Sequence, residues 1–316
     1  SRLVPAAGYS FQSIDPIGFL RGVSMRAVMN SFRFPFRLLQ SIRDSKKILR
    51  AFQPHVVVGT GGFVSGPPIR AAYRLGIPIL LQEQNSMPGM TTKIASKYAM
   101  EIHAGFPLNL NGKVRVSGNP LRQSLKKINP ADVREKMGLD PQKTTMTILG
   151  GSQGAANLNQ KLEQSLPELL QNYDFQIIWQ TGEHFKPSFS HINLLCKSFF
   201  DDMSAIYSAT DFAVARAGAI TMSELFYFGI PTIFVPFPYA TDNHQMKNAK
   251  SAVEAGAAMI VQENEWLRFS ENIKLFLSDK NMRETMASAA VQLAKPDATK
   301  TICKAILNLA EKSHVR

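Results

Sequence analysis

A glycine-rich turn occurs twice in the chain, each time between a short apolar run and a helical stretch. The turns are Gly59-Thr60-Gly61-Gly62-Phe63-Val64-Ser65-Gly66 and Gly150-Gly151-Ser152-Gln153-Gly154. Glycine accepts positive φ and lets a ligand approach the backbone closely. A helix N-terminus adds unpaired N–H groups that favour anions. One such turn is compatible with a tight connection that binds nothing, but two in one chain favour the binding of phosphate groups.

The turns belong to a longer alternation of strand and helix patterns, which predicts parallel sheets with helices on both faces. Strands are predicted at 56–58, 77–81, 101–104, 114–116, 145–149, 175–179, 197–200, 212–215, 232–236 and 258–261. Helices are predicted at 25–52, 70–75, 90–98, 155–170, 203–209, 219–228, 243–255, 270–277, 280–294 and 299–311. The 316 residues suit about two domains of roughly 150 residues each. The polar stretch 123–142 is interpreted as the connection between them.

Composition removes several other classes of protein. Apolar residues make up 45% of the chain, which is too many for a mainly disordered protein. The two cysteines, Cys196 and Cys303, cannot build a disulfide scaffold and suit a reducing compartment. No apolar run approaches the roughly 18–20 residues of a membrane span, and residues 1–22 lack the apolar core of a secretory signal. No two histidines are spaced as zinc ligands on a helix, so no metal site is predicted.

Two common nucleotide motifs fit the first turn poorly. A dinucleotide fingerprint needs a third glycine where Val64 stands, and the only acidic residue available for the ribose is Glu83. A dinucleotide site therefore stays open only as a weak alternative. A P-loop is excluded because Gly66 is followed by Pro67 and Pro68 rather than by Lys and Ser or Thr.

A third candidate anion site is the segment Arg216-Ala217-Gly218-Ala219-Ile220-Thr221-Met222-Ser223-Glu224. Small residues after the predicted strand 212–215 open the N-terminus of the next helix. Glu224 lies in the first turns of that helix, where its carboxylate could accept both hydroxyls of a ribose. The alternative is a glutamate placed only for the helix dipole. Upstream, Asp201 and Asp202 are interpreted as the N-cap of the helix 203–209.

The net charge of +12 is concentrated near the start of the chain. Residues 1–58 hold nine basic residues and two acids, so this segment carries seven of the twelve charges. Phe32, Phe36, Leu39 and Ile42 fall on one apolar stripe, with Arg33, Arg37 and Arg43 beside it. Such a helix can lie on anionic lipid, or it can face a core and expose a basic flank. Pro35 should fall in a first helical turn or kink the helix. No nucleic-acid motif accompanies the charge.

Seven motifs in this order together resemble the MurG family of N-acetylglucosaminyltransferases. They are, in chain order, the first glycine-rich turn, Gln82-Glu83-Gln84-Asn85, Gly118-Asn119-Pro120-Leu121-Arg122, the second glycine-rich turn, Phe200-Asp201-Asp202-Met203, Ala217–Glu224 and Asp242-Asn243-His244-Gln245. The resemblance implies a GT-B fold of two Rossmann-like domains: 1–122 facing acceptor and membrane, 123–296 binding the UDP-sugar, and 297–316 as a helix packing back on the first. The first domain would lack its opening unit.

The resemblance also implies an activity. It is inverting, metal-independent transfer of GlcNAc from UDP-GlcNAc to the muramyl sugar of lipid I, which forms lipid II for peptidoglycan synthesis, cell shape and division. No cofactor is implied. The partners would be UDP-GlcNAc, lipid I and an anionic membrane, and the enzyme would lie peripherally on the cytoplasmic face of the inner membrane. Two alternatives stay open: a protein that binds UDP-GlcNAc without catalysis, and a UDP-sugar 2-epimerase.

Residue roles follow by match to the family's motifs. Ser152 would contact the donor phosphates, Phe200 the uracil through its backbone, and Gln245 the GlcNAc hydroxyls. Ala219 to Met222 would present the amides of a helix N-terminus to the phosphates, and Glu224 would bind the ribose. The complete donor-binding set is Asn85, Arg122, Ser152, Phe200, Ala219, Ile220, Thr221, Met222, Ser223, Glu224 and Gln245. The set for the acceptor pyrophosphate is Gly61, Gly62 and Ser65. The membrane-facing set is Phe32, Arg33, Phe36, Arg37 and Leu39. The family's favoured general base, a histidine, is expected in a segment before Ser1.

Overall fold

The structure is a computed structural model that describes residues 3–15, 25–110, 112–151 and 155–314, with the backbone alone for 3, 25–33, 313 and 314. The strands are β1 Val57–Gly59, β2 Ile79–Glu83, β3 Glu101–Ala104, β4 Val114–Val116, β5 Thr145–Leu149, β6 Gln176–Gln180, β7 Leu194–Lys197, β8 Phe212–Ala215, β9 Thr232–Phe234 and β10 Ala258–Ile260. The α-helices are α1 Leu3–Ala6, α2 Met25–Phe52, α3 Gly66–Arg74, α4 Met90–Ala95, α5 Pro130–Lys136, α6 Ala156–Asn172, α7 Met203–Ala209, α8 Ala219–Phe228, α9 His244–Glu254, α10 Trp266–Ser278, α11 Lys280–Leu293 and α12 Ala298–His314.

The chain divides into two compact units. The first consists of Ser1–Ser117 together with Thr299–Arg316, and the second is Gly118–Ala298. Among the described residues, each unit contains one sheet. The functions that the sequence assigns to the domains remain predictions.

The first unit is built on a sheet whose described strands run in the order β1-β2-β3-β4, all parallel. Successive side chains of β2 point to opposite faces, as the period of a strand requires. Ile79 and Leu81 pack with Ile69 of α3 on one face. Leu80 packs on the other face with residues of α12, including Ile302. Both faces are therefore covered, which explains why the strand is a continuous apolar run rather than an alternating one.

The second unit has a sheet of described strands in the order β10-β9-β8-β5-β6-β7, again all parallel. Its core contains large side chains that are completely buried, among them Trp179, Phe212 and Phe269. The strand order reverses between β5 and β8. In open parallel sheets, ligands bind outside the carboxyl ends of the strands at such a reversal.

Many predicted elements have limits shifted by one to four residues, and two segments were interpreted wrongly. The strand predicted at 197–200 is β7 at Leu194–Lys197, because residues 194–197 form the ladder with β6. The stretch 123–142, interpreted as a polar connection, contains α5 and is packed into the second unit. Arg134 of α5 is buried, donates to the carbonyl of Ala209 and pairs with Asp211 at 2.8 Å. A buried arginine fully paired in this way is structural, although its charge made it resemble a linker residue.

Candidate functional site

The second glycine-rich turn and the Arg216–Gly218 segment follow the two strands that flank the reversal of strand order. The second glycine-rich turn begins after β5 at Gly150. Its Gly151 has a φ of 86°, a conformation that favours glycine. Ser152 lies outside the described residues, so its predicted phosphate contact stays a prediction. The other segment follows β8 and leads into α8. Both turns thus reach the sheet edge where a ligand is expected.

The N-terminus of α8 has the geometry of an anion site. Gly218 is at the N-cap with φ −70° and ψ 132°, and no side chain caps the helix. The first intrahelical bond runs from the Met222 amide to the Gly218 carbonyl at 2.9 Å. The amides that can meet an anion are therefore those of Ala219, Ile220 and Thr221, and that of Met222 is already engaged. No acidic residue lies in the first turn to oppose an anion.

Glu224 lies one turn further along α8 and is almost fully buried, with 3% of its surface exposed. Its Oε2 accepts a hydrogen bond from the hydroxyl of Tyr207 at 2.7 Å. Its Oε1 accepts one from Nη2 of Arg122 at 3.3 Å. The structure therefore brings together two of the predicted donor residues, Arg122 and Glu224. Tyr207 is a third member of this group that the sequence reasoning missed.

Two buried asparagines fix the backbone on either side of the α8 N-terminus. The side chain of Asn119 donates to Ser223 Oγ at 3.0 Å and to the Ala219 carbonyl at 3.4 Å. The side chain of Asn248 donates to the Ala217 carbonyl at 3.2 Å. Neither residue was proposed as a site residue, although Asn119 lies in a motif that matches the family. Their bonds hold the carbonyls of Ala217 and Ala219 and so fix the backbone at the start of α8.

Phe200 follows β7 and is 7% exposed. Its amide donates to Oε1 of Gln180 at 3.3 Å, so the backbone group predicted to read uracil has an internal partner at the end of β6. Two residues on, the Asp202 side chain accepts from the Ala205 amide at 3.2 Å and caps α7. The N-cap predicted for Asp202 is confirmed.

Gln245 lies in the first turn of α9, and its Oε1 accepts from the amide of Phe237 at 2.9 Å. The loop between these residues includes Asp242 and Asn243, both with a φ of 54°. Asx residues tolerate this left-handed region better than most. Oε1 keeps a second lone pair and the NH₂ adds two donors, so Gln245 can both accept from and donate to a sugar hydroxyl.

In the first unit, the turn after β1 is shaped by glycines with positive φ, 83° at Gly61 and 73° at Gly62. The hydroxyl of Ser65 donates to the Gly62 carbonyl at 2.9 Å. Proline at 67 and 68 deprives the first turn of α3 of two N–H donors. The donors this loop can offer an anion are therefore the amides around Gly61 and Gly62, rather than the helix start expected from the sequence.

The structure gives Glu83 a local role instead of a ribose-binding one. Glu83 is 3% exposed. Its Oε1 accepts from the Asn85 amide at 3.2 Å, and its Oε2 accepts from Thr92 Oγ1 at 2.6 Å and from the Gly89 amide at 3.3 Å. The carboxylate thus organises the loop 83–92 and places Asn85. Because both carboxylate oxygens of Glu83 accept hydrogen bonds from this loop, the residue is a poor candidate for the ribose of a dinucleotide.

The apolar stripe predicted on α2 does not share one environment. Phe36 is 77% exposed and Leu39 46% exposed, whereas Ile42 is buried at 7%. At 100° per residue Ile42 lies 120° around the helix from Phe36, so the predicted single stripe is wrong at Ile42. Arg37 pairs with Asp15 at 3.4 Å. The side chains of Phe32 and Arg33 lie outside the described residues. The helix continues through Pro35, which lies well beyond the first turn.

None of the helices described is long and apolar enough to cross a membrane. Within the same residues, no three His, Cys, Asp or Glu side chains come close enough together to hold a metal ion.

Two α/β units, each built on a parallel sheet, fit the GT-B fold, and in the second an uncapped helix start and a buried carboxylate lie at the reversal of strand order. Comparison with known families agrees: residues 1–104 match the glycosyltransferase family 28 N-terminal domain, and residues 145–302 match its C-terminal domain. The chain belongs to the MurG family within glycosyltransferase family 28. The predicted fold class is confirmed.

Curated relatives carry one printed name, UDP-N-acetylglucosamine--N-acetylmuramyl-(pentapeptide) pyrophosphoryl-undecaprenol N-acetylglucosamine transferase. The protein of Salinibacter ruber is 37% identical over 322 residues, which cover 99% of this chain and 86% of that protein. The protein of Flavobacterium psychrophilum is 38% identical over 320 residues, which cover 98% of this chain and 86% of that protein.

Among solved structures, MurG of Acinetobacter baumannii superposes with a TM-score of 0.78 at 29% identity, covering 97% of this chain and 87% of that chain. The UDP-GlcNAc 2-epimerase of Neisseria meningitidis bound to UDP-GlcNAc gives a TM-score of 0.62 at 16% identity, covering 86% of this chain and 81% of that chain. At that identity the second likeness concerns the fold alone.

Proposed function

We propose that this chain transfers GlcNAc from UDP-GlcNAc to the muramyl sugar of lipid I, giving lipid II, with inversion at the anomeric carbon and without a metal ion. The observation that carries the proposal is the start of α8. Unpaired amides at Ala219, Ile220 and Thr221 are followed within two turns by the buried carboxylate of Glu224. A nucleoside diphosphate carries its diphosphate next to its ribose, so the amides suit the diphosphate and the carboxylate suits the ribose. The names of the relatives support the same donor and acceptor.

In the proposed donor complex, the three α8 amides bind the diphosphate and Glu224 accepts hydrogen bonds from the ribose hydroxyls. The Phe200 backbone binds uracil after exchanging its bond with Gln180, and the NH₂ of Gln245 donates to a GlcNAc hydroxyl. Ser152, Asn85 and Arg122 complete the donor set by their match to the family's motifs.

The proposed chemistry is one displacement. The acceptor hydroxyl attacks the anomeric carbon on the face opposite to UDP, the bond to UDP breaks, and a general base takes the hydroxyl proton; a single attack inverts the centre. Negative charge then develops on the leaving diphosphate. Amides held by α8, Asn119 and Asn248 stabilise that charge without reorganising, which is a role that a metal ion has in other enzymes. The amides around Gly61 and Gly62 bind the pyrophosphate of the acceptor.

The acceptor is lipid-linked, so the proposal includes a membrane surface on the first unit. Exposed Phe36 and Leu39 on a strongly basic segment support contact with anionic lipid. We propose peripheral attachment at the cytoplasmic face of the inner membrane.

The proposal is tested by assaying transfer of labelled GlcNAc from UDP-GlcNAc to a soluble lipid I analogue, with the protein as its gene encodes it. Labelled lipid II analogue is the expected product, with β configuration by nuclear magnetic resonance and an unchanged rate in excess chelator. Binding of UDP-GlcNAc by calorimetry without any transfer would instead establish the alternative of a non-catalytic binding protein. Absence of both would reject the proposed function.

A further inference from the structure

The carboxylate of Glu224 has two partners that differ in how freely they can leave. The side chain of Arg122 is 58% exposed and contacts Oε1 at 3.3 Å. Tyr207 is 2% exposed and contacts Oε2 at the shorter distance of 2.7 Å. An exposed guanidinium can move into solvent or onto a ligand at little cost. The buried phenol of Tyr207 stays in position, because moving it would lose both its packing and its hydrogen bond.

Tyr207 is held from two directions. Its ring packs against Phe228 of α8 with centroids 5.2 Å apart. Its backbone belongs to α7, a short helix whose N-terminus is fixed by the Asp202 cap. Burial and the adjacent Glu224 carboxylate raise the pKa of Tyr207 well above its ordinary value. The hydroxyl therefore keeps its proton and remains a donor to Glu224 throughout the neutral range.

We propose that Tyr207 is a positioning residue, whose hydroxyl fixes the Glu224 carboxylate so that it can accept the ribose hydroxyls of the nucleotide, and that it thereby sets the preference for ribonucleotides over 2′-deoxyribonucleotides. This inference rests on the ribose-binding role in the proposed function. A carboxylate oxygen has two lone pairs, so Oε2 can accept from Tyr207 and from a ribose hydroxyl together. Arg122 is the exchangeable partner, and its departure opens Oε1.

The geometry also links two parts of the donor site through one helix. Phe200 and Asp202 lie immediately before α7, and Tyr207 lies in its second turn. The segment proposed to bind uracil therefore leads directly into the helix that carries the side chain holding the ribose carboxylate. A displacement of α7 would move both.

The test compares the affinities of UDP and of 2′-deoxy-UDP in native protein, Tyr207→Phe and Glu224→Gln by calorimetry. Tyr207→Phe removes the hydroxyl that donates to Glu224. The affinity for UDP should fall by about three- to tenfold, because the lost bond acts on UDP only through the position of Glu224. 2′-Deoxy-UDP offers Glu224 one hydroxyl instead of two, so its binding should weaken less than that of UDP and the ribose preference should fall. In Glu224→Gln, adding Tyr207→Phe should cause no further loss of preference.

Tyr227→Phe is the matched control, because it removes a hydroxyl from the half-buried tyrosine on α8 that lies against Lys127. It should keep the native preference. If Tyr207→Phe also keeps it while Glu224→Gln loses it, the inference fails and the ribose role of Glu224 stands. If Glu224→Gln binds UDP like native protein, the ribose role itself fails.

A second measurement avoids removing any hydroxyl. Incorporation of 3-fluorotyrosine at position 207 makes the phenol a stronger donor and leaves its size nearly unchanged. The affinity for UDP is expected to change more than the affinity for 2′-deoxy-UDP. Equal behaviour of the two nucleotides would overturn the inference, even if Tyr207→Phe proves too unstable to assay.

Discussion

A single buried carboxylate concentrates much of the donor site's electrostatics. Glu224 would be costly to bury alone, because an uncompensated charge in a protein interior loses its hydration. The bonds from Tyr207 and Arg122 offset that cost in the unliganded protein. When Arg122 leaves, the carboxylate is left short of one partner. In the proposed donor complex a ribose hydroxyl takes the place of Arg122 on Oε1, so the carboxylate keeps two partners and the exchange contributes only the difference between the two hydrogen bonds.

Replacing Glu224 by Ala should therefore weaken the binding of UDP by about 1–3 kcal/mol, the value of hydrogen bonds to a charged group. Calorimetric titration with UDP measures the change directly. Titration with inorganic pyrophosphate is the internal control, since it lacks a ribose and should be affected little. Unchanged affinity for UDP would reject the ribose role.

A second buried ionisable residue, His103 of β3, controls stability rather than binding. It is completely buried, with Nδ1 2.7 Å from Ser117 Oγ and Nε2 3.4 Å from Oε2 of Glu101. Burial lowers the pKa of His103; Glu101 opposes this shift in part, and Arg115 adds to it. The unfolded chain thus binds a proton more readily than the folded one. The free energy of unfolding should fall as pH decreases through the unfolded value of about 6.5.

We expect the native protein to lose stability between pH 7.5 and 5.5, and His103→Gln to lose less over the same interval. Urea unfolding at the two pH values measures both slopes. His184→Gln is the control, because His184 is exposed on the second unit. Equal slopes in native protein and His103→Gln would contradict the prediction.

At the residue scale, the local sequence indicated where candidate site residues lie but not which side chains they hydrogen-bond. Glu224 could be placed because its helix follows a clear strand and a small-residue turn. Its partner Arg122 is 102 residues away in sequence, and Tyr207 is 17 away on another helix. Hydrogen bonds between separate elements depend on how those elements pack, and no periodicity records that. The same holds for Asn119 and Asn248, whose bonds to the α8 start are equally non-local.

At the scale of elements, packing between β1 and α3 depends on one missing side chain. A Cβ added to Gly59 would lie 2.6 Å from Ile69 Cδ1 and 2.9 Å from Leu81 Cδ2. Both neighbours are buried in the core of the first unit and cannot move aside cheaply. Glycine at this position lets the strand end lie directly against the helix that follows the turn.

Gly59→Ala should therefore destabilise the protein by about 1–3 kcal/mol, the usual cost of overpacking a core. The midpoint of urea unfolding gives the change. Gly66→Ala is the matched control at the start of α3, where the nearest atom, Thr91 Cγ2, would lie at an ordinary 3.6 Å. That variant should differ from native protein by less than about 0.5 kcal/mol. A Gly59→Ala protein with the native midpoint would show that the contact is relieved by adjustment.

The elements that could be predicted best were those with sharp boundaries in the sequence. Strands β3, β5 and β8 and helices α7 and α8 have the predicted limits, since apolar runs there end at polar or small residues. Strand β7 was predicted three residues too late, and helix α5 was not predicted. β7 is only partly buried, so its pattern is weak, and α5 buries the charged Arg134, which pairs with Asp211, beside the apolar Val133.

On the scale of the whole molecule, charge and exposed apolar surface coincide on one segment. Residues 1–58 carry seven of the twelve net positive charges, and within them Phe36 and Leu39 project into solvent. The charge attracts anionic headgroups within a Debye length, and apolar side chains then add binding by insertion. Neither term alone gives strong attachment. Their combination predicts binding that depends on anionic lipid, on salt and on the two apolar side chains.

We expect the protein to float with vesicles that contain phosphatidylglycerol and to float less with purely zwitterionic vesicles. Raising the salt from about 50 to about 300 mM should reduce the fraction bound, because screening weakens the electrostatic attraction. The double variant Phe36→Ser, Leu39→Ser should bind less at low salt, since it loses the inserted side chains and keeps every charge.

The double variant Ile192→Ser, Leu267→Ser is the matched control. These side chains are 91% and 88% exposed, more than Phe36 and Leu39, but they belong to the second unit. If exposure of apolar residues alone drove attachment, this control would lose binding at least as strongly as the α2 variant. If the basic segment directs attachment, it should float like native protein. Equal loss of vesicle binding in both variants, or native binding in both, would show that α2 is not the membrane-binding surface.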